Sequence, residues 1–281
     1  MNILVTGKNG FLATELRDLF RPLPHDVMFM GREDLNLLEE AEVDSFLKDR
    51  HFDVLIHTAI LGGGRNVEDD SSDFYHNTLM FLNLLKHIAS FNKFINLDSG
   101  ASFDRREDIN KCSEHDLMKS IPTDFYGMSK LVGSLLGKAF PNFINLRIFA
   151  CFGPKETEGR FIKRSIRRYL DNKSIEVFEE KCVDFFYVKD LFKTLLYVMR
   201  NDVENRDINL CYDKKYKLSE VAAIINQLGK HKVPVITGEP AYNYTGSPEA
   251  LAALNLPLGG LKSGIEDMYS SIIQGNLLST N

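Results

Sequence analysis

Apolar residues fall into two rhythms along this chain. Near-continuous runs occur at Ile3-Leu4-Val5, Val27-Met28-Phe29-Met30, Val54-Leu55-Ile56, Phe94-Ile95-Asn96-Leu97 and Ile144 to Phe149. Such runs are the pattern of strands buried on both faces. Between them the spacing turns helical: Leu16, Leu19 and Phe20; Leu38, Ala41 and Phe46 within residues 37–48; the stretch from Phe74 to Ser90; and Leu131, Leu135 and Leu136 after Lys130. The alternation predicts an α/β fold, a Rossmann-type doubly wound parallel sheet with helices on both faces. Later helices are expected over 160–170, from Asp190 to Met199, from a Ser219 cap to about Gln227, and near 265–273.

Chemistry gathers where the strands end. After the first run comes Thr6-Gly7-Lys8-Asn9-Gly10-Phe11-Leu12-Ala13. A glycine turn between strand and helix lets a pyrophosphate approach backbone N–H groups at a helix start, and Ala13 is small enough for helix–strand packing. Gly7, Asn9, Gly10, Phe11 and Leu12 are therefore candidate cofactor contacts. The second strand ends in Gly31-Arg32-Glu33, followed by Asn36 and Leu37. An NAD site usually places an acidic residue there; Arg32 matches a 2′-phosphate instead, which favours NADP (NADPH) over NAD. The rival reading is a solvated Arg32 paired with Glu33. Thr58 and Ala59 close the third strand, where ligands of doubly wound sheets bind. His57 reads as a satisfied core histidine, and Asn77 and Asn83 as exposed helix positions. The loop from Gly62 to Asn66, with Gly63 within it, either passes close to a ligand or is a plain flexible connection.

The fourth strand delivers Ser99, and Tyr126-Gly127-Met128-Ser129-Lys130 follows. Tyr126 and Lys130 stand four residues apart and so share one helix face. An ammonium beside a phenol favours the phenolate, making Tyr126 a usable proton donor or acceptor. A Ser99 hydroxyl could hold the reacting oxygen. The basic positions Lys163, Arg164, Arg167 and Arg168 form either a solvated face or a site that attracts a diphosphate.

Composition narrows the classes. The chain has 281 residues, 44% hydrophobic and 26% charged, with a net charge of −5. That acidic balance excludes nucleic acid held by bulk charge. Cys112, Cys151, Cys182 and Cys211 lack metal-ligand spacing, so no metal is expected; they read as reduced, as in the cytoplasm. No apolar run reaches membrane-spanning length, and the start enters a strand directly, so no signal peptide is expected.

Taken together, Thr6-Gly7-x-x-Gly10-Phe11, Tyr126-x-x-x-Lys130, Arg147 with Gly153-Pro154, and Asp184-Phe185 with Val188-x-Asp190 resemble the extended short-chain dehydrogenase/reductase (epimerase/dehydratase) family. Within it, the run Arg32 to Leu38 and the loop at Gly62 to Asn66 are similar to GDP-fucose synthase. Asp98-Ser99 and the segment Arg147 to Pro154 are similar to CDP-abequose synthase.

The resemblance implies Ser99, Tyr126 and Lys130 as the catalytic set, with Asn77 and Lys130 near the nicotinamide ribose. It also implies a homodimer acting on a nucleotide sugar in deoxysugar biosynthesis. Residues 1–153 with the returning segment 184–213 would form the NADP-binding part; 154–183 and 214–281 would form a smaller substrate-binding part. Departures from the family pattern discriminate between activities. Sugar dehydratases carry Asp-Glu where this chain has Gly100 and Ala101, so dehydration is not expected. Epimerising synthases carry a Cys and a His at positions that align with Ala101 and Arg160, so epimerisation is not expected either. Val183 stands where the family places an Arg on the diphosphate; Lys181 or the basic face after Arg160 would substitute. The expected substrate contacts are Gly63, Ser99, Ala101, Arg160 and Lys181. The expected activity is NADPH-dependent reduction of a nucleotide-linked 4-keto-6-deoxy sugar. The alternatives are a 4-epimerase that retains NAD, and a non-catalytic NADP-binding regulator.

Overall fold

The computed structural model describes residues 1–63 and 69–279. The first part of the chain alternates without exception: β1 (Asn2–Thr6), α1 (Phe11–Phe20), β2 (Asp26–Met30), α2 (Glu40–Leu47), β3 (Phe52–His57), α3 (Ser71–Leu85) and β4 (Phe91–Ser99). There follow β5 (Ile109–Cys112), α4 (Phe125–Gly137), β6 (Phe143–Ile148), β7 (Ala150–Phe152), α5 (Phe161–Leu170), β8 (Ile175–Glu180), β9 (Phe185–Tyr187), α6 (Val188–Arg200) and β10 (Asp207–Leu210). The last elements are α7 (Leu218–Ile225), β11 (Val235–Pro240), β12 (Tyr244–Gly246), α8 (Glu249–Ala252) and α9 (Gly260–Ser279).

Six strands form one parallel sheet in the order β10-β6-β4-β3-β1-β2. Period-two geometry explains why its strands read as unbroken apolar runs. Ile3, Val5, Val54 and Ile56 point to one face, where they meet α1 and α6 residues such as Leu16, Leu191 and Leu195. Leu4, Leu55 and Phe94 point to the other, where they meet Val43 and Leu47 of α2 and Phe81 and Leu84 of α3. The expected doubly wound Rossmann-type sheet is what the chain forms. Order reverses between β1 and β3, and the carboxyl ends of those two strands therefore flank the crevice in which such folds bind ligands.

Side chains pin that crevice. His57 is 5% exposed and its Nδ1 lies 2.9 Å from Thr6 Oγ1. Burial, with a smaller contribution from the charge of Lys130, lowers its pKa to about 3, so the ring is neutral at working pH. It is the satisfied core histidine that its apolar strand suggests. Beneath the carboxyl ends of β4 and β6 lies a second pin. Arg147, fully buried, donates from Nε to Asp98 Oδ2 at 2.8 Å, and its Nη2 stands 3.0 Å from Asp207 Oδ1. Asp98 also accepts from Ser134 at 2.8 Å, Asn145 at 3.1 Å and Ser102 at 2.8 Å. The ions join β4, β6, β10 and α4, and every one of these partners is hydrogen-bonded.

Local details depart from the apolar pattern. The second helix begins at Glu40 rather than residue 37, because Asn36 and Glu39 close a tight turn ahead of it. The third runs from Ser71 to Leu85, opened by Asp70, which accepts from Ser72 and Asp73 N–H groups. Ser219 is not the cap of α7; Lys217 is, and the Ser219 hydroxyl donates to Glu180. Asn77 and Asn83 are buried, not exposed. β5 joins β12 from the C-terminal segment instead of the central sheet. Among the described residues no helix is long and apolar enough to cross a membrane.

Two outcomes are expected. Arg147→Ala leaves Asp98 buried without its ion partner and lowers unfolding stability by about 3–5 kcal/mol in urea denaturation. Burial of neutral His57 makes stability depend on pH. Its folded pKa is depressed, so its stability is full above about pH 6.5 and is lost as pH falls toward about 3. Between about pH 7.5 and about pH 5 the parent should therefore lose roughly 2 kcal/mol more than His57→Gln.

Candidate active site

The glycine turn is built by close approach. Gly7 has φ +75, and a Cβ there would sit 2.8 Å from the Ala59 Cα. Only glycine meets both demands, and the turn after β1 is thus packed directly on Thr58 and Ala59 after β3. Thr58 donates to the Thr6 carbonyl at 2.6 Å. Gly10 caps α1 without a side chain, so the first-turn N–H groups of Phe11, Leu12 and Ala13 remain for a phosphate.

At the end of β2 the charges sort themselves. Lys8 pairs with Glu33 at 2.9 Å and with Asp34 at 2.5 Å, and Asn9 donates to Glu33 at 3.3 Å. Hydrogen bonds from Lys8 hold both carboxyl groups below the ordinary range. Glu33 is therefore taken, and the Arg32–Glu33 pair does not form. Arg32 is exposed and, among the described residues, unpaired. Asn36 folds its side chain onto the Leu38 N–H, and Leu37 turns its side chain into the core. The Leu37 carbonyl is also engaged, accepting from buried Asn83 at 2.8 Å.

Ser99 ends β4, and Tyr126 and Lys130 lie on the first turns of α4, the helix that packs on the turn after Ser99. Asp124 starts that helix by accepting the Gly127 N–H at 2.7 Å. Gly127 lets the helix approach the Ala101 carbonyl, 2.5 Å from where its Cβ would stand. Lys130 is 9% exposed; its ammonium donates to the Leu97 carbonyl at 2.8 Å and lies 5.9 Å from the centre of the Tyr126 ring. A cavity of about 20 Å³ behind it is lined by His57, Asn77, Asn96 and Ser129, polar enough and large enough for one water. Asn77 clamps Leu61 with two hydrogen bonds, N–H to Oδ1 at 2.8 Å and Nδ2 to carbonyl at 2.9 Å. That holds the loop entering Gly62. Gly63, at φ +72, lays its backbone against the Tyr126 ring, 2.6 Å from where a Cβ would be. Residues 64–68 of this loop, including Arg65 and Asn66, lie outside the described residues.

Other expected contacts fall elsewhere. Ala101 is 1% exposed beneath α4, with no functional group to offer. Arg160 sits at the start of α5, donating to the Cys151 carbonyl at 2.8 Å and pairing with Glu156 at 3.1 Å, with its guanidinium 5.8 Å from the Phe11 ring. It therefore joins the glycine turn, not Tyr126. Burial raises Glu156 to about 7 despite Arg160 and Lys163. Lys181 pairs with Glu179, and no contact among the described residues links it to Ser99 or Tyr126. The basic face of α5 is largely neutralised: Lys163 and Arg167 meet Glu158, and Arg168 meets Glu176. Val183 is buried and bridges to Tyr244.

Two nearby groups carry no sequence signal. Arg105 pairs with Asp124 at 2.7 Å, where Tyr126 and Tyr244 act on its charge. Tyr244 arrives from β12, far along the chain, and only the β5–β12 pairing reveals its place.

With this geometry in view, similarities to known proteins become informative. Over 183 residues the chain is 25% identical to a dTDP-4-dehydrorhamnose reductase of Sinorhizobium fredii, spanning 63% of this chain and 59% of that protein. Its fold is similar to that of a GDP-mannoheptose C4 reductase from Campylobacter jejuni solved with NADP bound: TM-score 0.82, 19% identity, 96% of this chain and 98% of that one. It is equally similar to a UDP-glucose 4-epimerase from Thermotoga maritima: TM-score 0.83, 18% identity, 98% and 100% covered. The model of the NAD dependent epimerase/dehydratase family matches residues 3–211, and the chain, with its glycine turn and its Ser99, Tyr126 and Lys130, belongs to that family.

Proposed function

We propose that this protein is an NADPH-dependent reductase of a nucleotide-linked 4-keto-6-deoxy sugar and does not epimerise it. The observation that carries the reading is the convergence of Ser99, Tyr126 and Lys130 with no second proton-exchanging side chain at positions 100 and 101. The cradle at Gly7 and the open first turn of α1 fit a dinucleotide pyrophosphate, Thr58 and Ala59 close its floor, and the unpaired Arg32 fits a 2′-phosphate. When bound, the cofactor supplies the hydride for C4. Tyr126 gives its proton to the C4 oxygen, the Ser99 hydroxyl holds that oxygen, and the Lys130 ammonium supports both the phenol and the cofactor ribose beside Asn77. The smaller part of the chain, 154–183 and 214–281, would close over the nucleotide sugar.

The second reading, a 4-epimerase that keeps NAD, draws support from the Thermotoga maritima enzyme's similar fold. Protein purified with stoichiometric NAD would favour it. We also infer a cytoplasmic homodimer. The homodimer reading is supported by apolar side chains exposed on α3 (Tyr75, Leu82) and α4 (Leu135, Leu136), helices that pack against each other.

The deciding experiment follows NADPH oxidation against 4-keto sugars generated in situ from GDP-, CDP-, dTDP- and UDP-sugars, run in heavy water. Reduction of one of them without enzyme-dependent deuterium at C3 or C5 is the expected result. Deuterium at either carbon defeats the non-epimerising reading. Tyr126→Phe should lower kcat by about 10²-fold or more and leave cofactor affinity nearly unchanged.

Cofactor choice is tested separately by calorimetric titration. NADPH should bind more tightly than NADH, and Arg32→Asp should reverse or erase that preference; equal affinities in the parent would exclude the role given to Arg32.

A further inference from the structure

We infer that Glu33 is a specificity-determining residue of the cofactor site: its carboxylate, folded back over Gly31, is placed to accept a hydrogen bond from the adenine-ribose 2′-hydroxyl of NAD(H). The site then takes both dinucleotides, and Glu33 restrains the preference for NADPH. The inference rests on the dinucleotide site proposed above and adds a second cofactor to it.

Gly31 follows β2 directly, at the place where a site for NAD carries its acid. The fold fills that gap from two residues further on. A Cβ on Gly31 would stand 2.5 Å from Glu33 Oε2 and 3.0 Å from its Cδ and Oε1. The Glu33 carboxylate therefore occupies the volume that a side chain at position 31 would take, and glycine leaves that volume to it. The glycine turn holds the carboxylate there. The Lys8 N–H donates to the Met30 carbonyl at 3.2 Å, which lays the turn against the end of β2. From the turn, Lys8 Nζ reaches Glu33 Oε1 at 2.9 Å, and Asn9 Nδ2 donates to the same oxygen at 3.3 Å. Asp34 Oδ2 accepts the Gly31 N–H at 2.9 Å and fixes the backbone between them.

Acceptor accounting shows what remains free. A carboxylate offers about four acceptor positions on its two oxygens. Lys8 and Asn9 both bond Oε1, and Oε2 bonds no other side chain among the described residues. The Glu33 side chain is 54% exposed, so Oε2 is open to a ligand laid along the end of β2. Hydrogen bonding from Lys8, ahead of all other causes, holds this carboxyl below its ordinary range, so it is ionised at neutral pH. An ionised carboxylate accepts from a hydroxyl and repels a phosphate. Its neighbour Arg32, exposed and unpaired among the described residues, attracts a phosphate. Adjacent residues thus offer opposite chemistry to the ribose 2′ position. NADH meets Glu33 where it already lies. NADPH meets Arg32 and either displaces the carboxylate from Gly31 or binds against its charge.

Calorimetric titration tests this without turnover, using NADH, the NADH analogue that lacks the adenine-ribose 2′-hydroxyl, and NADPH. The parent should bind NADH about tenfold more tightly than its 2′-deoxy analogue, the difference expected of a hydrogen bond to a charged group. That comparison needs no substitution. Glu33→Ala should erase the difference and should tighten NADPH about fivefold, because a like charge is removed. Glu33→Gln, which keeps the shape of the side chain, should tighten NADPH to a similar extent. A parent indifferent to the 2′-hydroxyl, or a Glu33→Ala variant that keeps the full difference, overturns the inference. NADPH tightening with no change toward NADH would reveal charge repulsion alone and overturns it too. A parent that binds neither NADH nor NADPH defeats the cofactor site and this inference with it. A parent that binds both and ignores the 2′-hydroxyl defeats this inference alone.

Discussion

The interaction on which the candidate site depends is the buried pairing of Asp98 with Arg147. Removing two charges from water costs several kcal/mol each, and mutual attraction offsets this only with complete hydrogen bonding. Here both oxygens of Asp98 are hydrogen-bonded. Ser102, Ser134 and Asn145 occupy the remaining acceptor sites of Asp98, and Asn209 and Asp207 take other donors of Arg147. Burial pushes Asp207 upward, but Arg147 and Lys138 outweigh it and hold that carboxyl below its ordinary range. Net stabilisation from such a network is small, but its directional demands are strict. It fixes the ends of β4 and β6 in register with the middle of α4, the helix that carries Tyr126 and Lys130.

A second economy of charge operates at the cofactor end. Two carboxylates follow Arg32 directly and would cancel it if they turned toward it. Lys8, delivered by the glycine turn after β1, draws both away. The glycine turn thereby also leaves the Arg32 guanidinium unpaired among the described residues. The same sorting has the opposite result on α5, where Glu158 and Glu176 absorb much of the basic face and Arg160 is drawn to Glu156 and Phe11. Sequence spacing does not distinguish a free cation from a neutralised one; the fold of the neighbouring acids does.

What the amino-acid sequence determined by itself was everything carried by short separations. Strand runs and helical spacing specified the alternation and hence the parallel sheet. Gly7 and Gly10 marked the turn, and at Gly7 a positive φ and a close approach to Ala59 exclude other residues. Tyr126 and Lys130 were legible because four residues of helix place them on one face whatever surrounds it. Tertiary structure decided the rest. Whether Asn77 faced water or clamped Leu61 depended on the loop after β3. Whether Lys181 or Arg160 reached the site depended on which carboxylates lay nearby. Tyr244 could not be found from spacing, since its place beside Ser99 follows from β5 leaving the central sheet to pair with β12. That pairing brings together segments more than a hundred residues apart, and no local pattern of apolar and polar residues encodes such a contact.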